Sequence, residues 1–212
     1  MRLLAILPFF AASSLLMAST IYTEGGNDLS SDWTAPTPLA FTLGSNQVFG
    51  TIIGPSDRDY FTFTVPVGGQ IAAINVLPGT TGGGTGVSFF GIASGTSVIS
   101  PTTTPNSTLA LGLLGYTLYG PGDIGNSILN RLAASNTATP AAQGFSSLGP
   151  GNYSIWVQEG ATGTFNYGFD ILIASPEPAN WFLSCVGLAA LAILSRRTKL
   201  PRATPVLRHP RA

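Results

Sequence analysis

The sequence predicts an all-β protein, a jelly-roll-like β-sandwich flanked by an N-terminal signal-peptide helix and a C-terminal transmembrane helix. Three observations lead there. Apolar and polar residues alternate in short runs through the middle of the chain, over residues 21–174. Gly, Pro and Asn punctuate those runs, with 26 glycines and 16 prolines among 212 residues. No long stretch carries the apolar stripe of an amphipathic helix.

The strands follow in order. Pro38 to Leu43 and Gln47 to Ile53 are the first two expected. Asp59 to Val65 is the clearest: Phe61, Phe63 and Val65 fall on one face, and Tyr60, Thr62 and Thr64 on the other. Pro66-Val67-Gly68-Gly69 turns the chain, and Gln70 to Leu77 continues it. Val87 to Ile92 and Gly112 to Leu118 are the next strands. Asn152 to Glu159 alternates Tyr153, Ile155 and Val157 against Ser154, Trp156 and Gln158. The last strand places Phe165, Tyr167, Phe169, Ile171 and Ile173 on one face. Gly125 to Ala134 predicts a short helix, capped by Asn126 or Ser127, that buries Ile128, Leu129 and Leu132. Two Gly/Thr/Ser-rich stretches, Pro78 to Gly86 and Ala93 to Ser107, read as loops.

The two ends differ from this body. Met1-Arg2 is a minimal positive start, Leu3 to Leu16 is an apolar run, and Ala18-Ser19-Thr20 offers small residues to signal peptidase. A signal peptide over residues 1–20 is expected. At the other end, Pro176-Glu177-Pro178 precedes the apolar run Trp181 to Leu194, which is followed by Arg196 and Arg197. Fourteen residues rise about 21 Å against a membrane core of roughly 30 Å. The two prolines detach the run from the body, and flanking arginines hold one side in the cytoplasm. These features predict a sorting signal over 175–198 with a transmembrane helix over 180–195, then a basic cytoplasmic tail over 199–212.

A formal net charge of zero conceals this division. All nine acidic residues lie between Glu24 and Glu177, where only Arg58 and Arg131 are basic. An acidic body disfavours nucleic acid, which demands clustered Lys and Arg. The one cysteine, Cys185, lies in the apolar run, so no intramolecular disulfide staples the body. The one histidine, His209, lies in the tail. Ser-His-Asp, Cys-His and zinc chemistries therefore have no residues in the body. Gly82-Gly83-Gly84 lacks the lysine of a phosphate loop.

Carboxylates remain. Asp57 and Asp59 are two apart at the start of a strand, hence on one side. Glu24, Asn27 and Asp28 form a second oxygen cluster. Two readings are open for them: solvated turn residues beside Arg58, or hard-oxygen ligands for calcium. Asp57 and Asp59 also stand at a spacing that a glycosidase acid and base can use. Trp33, Trp156 and Tyr119 are residues that either fill a core or stack on sugars.

Two resemblances add to this. Pro176, Glu177, Pro178, Gly187, Leu188, Arg196 and Arg197, in their tripartite order, closely resemble the PEP-CTERM sorting signal of Gram-negative bacteria. That resemblance implies recognition and cleavage by an exosortase at the inner membrane, then delivery to the cell surface or an exopolysaccharide matrix. Residues 24–173 resemble the bacterial pre-peptidase C-terminal domain, chiefly in Asp57-Arg58-Asp59-Tyr60-Phe61-Thr62-Phe63 and Gly151-Asn152-Tyr153-Ser154-Ile155-Trp156-Val157. It implies a β-sandwich, with calcium held by Glu24, Asn27, Asp28, Asp57 and Asp59. The expectation is an exported, non-enzymatic module; the alternative is a secreted hydrolase that uses Asp57 and Asp59.

Overall fold

The computed structural model describes residues 18–82, 88–99, 112–175 and Gly187. The chain divides into two compact units, Met1–Ser175 and Pro176–Ala212. Apart from Gly187, the second unit lies outside the described residues, and with it the expected sorting signal, transmembrane helix and basic tail. Most of the expected signal peptide, residues 1–17, lies outside them too. Among the described residues no helix is long and apolar enough to cross a membrane.

The first unit is built mostly of β-structure, with nine strands in two mixed sheets among the described residues. The strands are β1 (Ser19–Thr23), β2 (Thr37–Pro38), β3 (Gly44–Ile53), β4 (Arg58–Val65), β5 (Gln70–Val76), β6 (Ser88–Ser94), β7 (Gly115–Tyr119), β8 (Gly151–Gln158) and β9 (Thr164–Ala174). One sheet has the order β1-β3-β9-β5, the other β2-β4-β8-β6-β7. β3 pairs antiparallel with β9 along its whole length, from Gly44 opposite Ile173 to Ile53 opposite Thr164. β1 and β2 join their sheets as parallel edges.

Consecutive strands β3, β4 and β5 cross from one sheet to the other and back. The Pro66–Gly69 turn carries the second crossing, and Gly68 adopts φ of 77° there, a conformation that side chains resist. The longer strands bury the face turned toward the other sheet, and those faces meet. Val48, Ile52, Ile74, Phe169 and Ile171 from the first sheet pack with Phe61, Phe63, Phe90, Ile155 and Val157 from the second in one cluster. At its centre the Phe169 ring meets Phe90 edge-on at 4.8 Å and Tyr119 at 4.9 Å. Tyr119, a possible sugar platform from its type alone, is 1% exposed and belongs to this core.

The outer face of the second sheet is also covered. Tyr60 and Trp156, cross-strand partners, pack there with Ala93, Val98 and Leu113, and with half-buried Trp33, Phe89 and Tyr116. Alternation set Tyr60 on the face opposite the Phe61 row; Val98 and Leu113, which follow β6, pack against it there.

One expected strand is corrected, and the bounds and anchoring of other elements are sharpened. Pro38 to Leu43 is not a full strand, because only Thr37–Pro38 pairs with β4. The chain bends instead around buried Asn46. Its Oδ1 accepts from the Thr42 N–H at 2.9 Å, and its Nδ2 donates to Thr42, Gly44 and Ile171 carbonyls at 2.9, 3.0 and 3.1 Å. That amide satisfies main-chain groups that a ladder would otherwise pair. The short helix is α1 (Leu129–Ala133), entered through Ile128, with the Ser127 hydroxyl accepting from the Leu129 N–H at 3.3 Å. The Pro78–Gly86 loop is pinned at its start: Thr80 is buried, and its hydroxyl oxygen accepts from the Gly168 N–H at 3.1 Å. β1 begins at Ser19, so cleavage after Ala18 would spare the strand and cleavage after Thr20 would remove its first two residues.

Truncating the central ring tests this packing. Phe169→Ala is expected to cost about 3–5 kcal/mol. The readout is a lower urea midpoint with an unchanged slope.

Candidate metal centre

At the edge of the core, three carboxylates converge. Oxygens of Glu24, Asp28 and Asp59 all lie within 4.8 Å of one another. Each arrives by a different route. Asp59 is the second residue of β4, and period-two alternation turns it inward with Phe61. Glu24 directly follows β1, and its N–H donates to the Phe49 carbonyl of β3 at 3.2 Å. Its carboxylate accepts from the Leu29 N–H at 3.3 Å and the Thr51 N–H at 2.5 Å. Asp28 is exposed, on the segment that Leu29 anchors at 2% exposure.

Asp59 is the floor of the site, at 0% exposure. Its Oδ2 accepts from the Tyr167 hydroxyl at 2.7 Å. Its Oδ1 is buried and has no hydrogen-bond partner among the described residues. A buried carboxylate oxygen without a donor, on a side chain clustered with two more carboxylates, costs free energy unless a proton or a cation meets it. No basic side chain does so among the described residues. Arg58 spends its Nε on Gln158 at 3.1 Å, and Arg131 pairs with Asp123 at 2.9 Å.

The ionisation equilibria follow. Burial, then the negative charges of Glu24, Asp57 and Asp28, raise Asp59 from an ordinary 3.8 to about 8, against the Tyr167 hydrogen bond. Burial also raises Glu24 from 4.5 to about 7; Asp28 adds to this, and the two main-chain donors oppose it. Because Tyr167 occupies Oδ2, the proton on Asp59 falls to Oδ1. Burial and the Asp59 charge push the Tyr167 phenol well above its ordinary value, so it stays a donor.

Tyr167 can reach Asp59 only because Gly50 has no side chain. The two residues are cross-strand partners in β9 and β3, and a Cβ on Gly50 would collide with the Tyr167 hydroxyl. A hollow of about 280 Å³ opens beside Glu24, Gly50 and Tyr167.

The five ligands expected from the sequence are thus not all assembled. Glu24, Asp28 and Asp59 are brought together. Asp57 stands outside that group: it precedes β4 in a turn, and its Oδ2 accepts from the Ile53 N–H at 2.5 Å. Its charge still reaches the site and raises Asp59. Asn27 offers its main-chain carbonyl to the Tyr22 hydroxyl at 2.5 Å and lines a neighbouring hollow. Of the sorting residues only Gly187 is described, and it is exposed. Tyr167 and Gly50 were not singled out from the sequence. The available sign was a hydroxyl-bearing Tyr in the inward row of β9, which demands a polar partner.

Three carboxylates form a hard, oxygen-only set with excess negative charge. That suits calcium, which takes six to eight oxygens, better than softer metals. Comparison with known protein families and with curated proteins finds no match for the chain.

The raised values fix a sign. Above about pH 4 the folded state holds protons that the unfolded chain has released, up to about pH 7 on Glu24 and about pH 8 on Asp59. Stability conferred by those protons is present at low pH and lost as pH rises through 7 to 8. Without metal, Tm is expected to fall as pH is raised across that window. The rise in Tm on adding calcium should grow over the same window, because metal displaces the protons. A metal-free Tm that is flat between those pH values would contradict the assignment.

Proposed function

We propose that this chain is a non-enzymatic module exported across the inner membrane of a Gram-negative bacterium, its jelly-roll-like β-sandwich secured by calcium at Glu24, Asp28 and Asp59. One observation carries the calcium reading: Asp59, whose buried Oδ1 has no donor among the described residues, has its carboxylate clustered with those of Glu24 and Asp28. A cation there would tie the segment after β1 to the floor of the core, so metal binding and folding would be coupled. Asn27, next to Asp28 in sequence, is a further oxygen within the same segment; Asp57 acts through its charge.

The ends supply the address. Signal peptidase removes the leader, and exosortase recognises Pro176, Glu177 and Pro178 and releases the body toward the cell surface or an exopolysaccharide matrix. The acidic body is not a nucleic-acid binder. The hydrolase alternative is weakened by burial: Asp59 is closed off from substrate, and Asp57 is committed to the Ile53 N–H.

Calcium at a hundredfold above its Kd adds about 2.7 kcal/mol. For a domain of this size that is roughly 5–10 °C in Tm. The gain is expected in the full chain and absent in Asp59→Asn. Equal gains in both would sink the calcium site, and polysaccharide turnover by the wild type alone would overturn the non-enzymatic reading. In a host carrying its exosortase, Glu177→Ala should leave a larger, membrane-bound species; unchanged release would contradict the sorting reading.

A further inference from the structure

The strands of the first unit begin and finish at the same end of it. β1 starts at Ser19, opposite Asn46 and beside the start of β3. β9 finishes at Ala174, where Gly44 of β3 stands opposite Ile173 and Gln70 of β5 opposite Ala174. The second sheet reaches this end too: Val65 of β4 stands opposite Gly151 of β8, and the Ile71 N–H donates to the Leu148 carbonyl at 2.9 Å. The segments that form the end, 39–46, 64–72, 144–155 and 171–175, hold no charged residue. Apolar side chains protrude from it. Val67 is 96% exposed and Leu43 46%, and Ala40 and Pro150 are exposed as well.

The opposite end has the contrary chemistry. Asp59 near the start of β4, Asp57 just before it, Glu24 after β1 and Glu159 after β8 gather there, together with Asp28. Arg58 is the one basic residue in the segments 23–28, 54–59 and 158–163 that carry them. Apolar and acidic chemistry thus occupy the two ends of the strands.

We propose that the uncharged end is a contact surface for a lipid bilayer, with Val67 at its tip and the acidic metal end turned away. The proposal rests on the preceding reading of Trp181 to Leu194 as a membrane span. Five residues, 176–180, join Ser175 to that run, and six extended steps of chain reach about 20 Å. The expected leader joins the chain at the same end, directly before β1. A chain held by either segment therefore brings this end to the membrane first. Valine and leucine side chains gain by leaving water. Carboxylates at the other end are repelled by anionic headgroups. An ionic partner finds nothing to pair with on the uncharged end. A few protruding side chains also fall far short of the roughly 800 Å² per partner of a stable protein interface, so a second copy is not held there.

The test places a nitrobenzoxadiazole label on one cysteine of the full chain. The protein is reconstituted in phosphatidylcholine–phosphatidylglycerol vesicles, with and without a lipid that carries a nitroxide on its headgroup. Three sites are compared: native Cys185, and Val67→Cys or Thr162→Cys, each combined with Cys185→Ser. Thr162 is exposed in the β8–β9 turn at the acidic end. Blue-shifted emission at Cys185 is expected to report the span. The nitroxide lipid should quench the label at 67 and leave the label at 162 unquenched. Adding Leu43→Asp, which puts a charge on the same end, should reduce quenching at 67. Equal quenching at 67 and 162, or none at 67 while Cys185 is blue-shifted, would overturn the proposal and leave the span standing. Water-like emission at Cys185 would sink the span reading and the proposal with it. A blue shift at 67 that the nitroxide does not quench would assign this end to a second protein copy instead, and would also overturn it.

Discussion

The hydrogen bond from Tyr167 to Asp59 organises the edge of the core. It joins the two sheets at a buried point, with the donor on β9 and the acceptor on β4. It requires an absent side chain at Gly50. It also polarises the carboxylate: one oxygen is satisfied and the other is not. Everything distinctive about the site follows from that inequality. Burial makes the charge on Asp59 costly, Glu24 and Asp28 make it costlier, and the unsatisfied oxygen is where a proton or a metal must go. The neighbouring backbone reinforces the arrangement. Glu24 is fixed by the Leu29 and Thr51 N–H groups, so it can approach Asp59 without relaxing away.

The second sheet serves two surfaces at once. Its inner face contributes Asp59 and half of the aromatic and aliphatic core. Its outer face carries a separate cluster around Tyr60 and Trp156. Gly91 lies opposite Trp156, and a Cβ there would press on Phe89 and Leu113, so the glycine lets the outer rings close on the sheet. The inner face ends in polar chemistry: by strand alternation Ser88 shares the side of Phe90, and Glu159 the side of Val157, the same side as Asp59.

Much of the fold was legible because its strands have one apolar face. β4, β5, β8 and β9 stand within a residue or so of where alternation put them. β1 was hidden by its position: an edge strand beginning at Ser19 lies where small residues read as a cleavage site. The bend over residues 39–43 was hidden because one buried Asn46 amide replaces ladder pairing, and periodicity carries no trace of such a substitution. At the site, the carboxylates were legible as residue types, and three of them do converge. Asp57 was misplaced by extending strand alternation one turn too far; before β4 begins, its side chain is free to cap the Ile53 N–H. Tyr167 and Gly50 were not legible as a pair, since only the β3–β9 register sets them opposite each other.

A crystal structure of the protein grown with calcium at about pH 8 tests the central claim most directly. The account predicts a single density peak roughly 2.3–2.6 Å from Oδ1 of Asp59, shared with oxygens of Glu24 and Asp28, with the Tyr167 hydrogen bond to Oδ2 retained. Calcium bound elsewhere, or no ion against Oδ1 under those conditions, would contradict it.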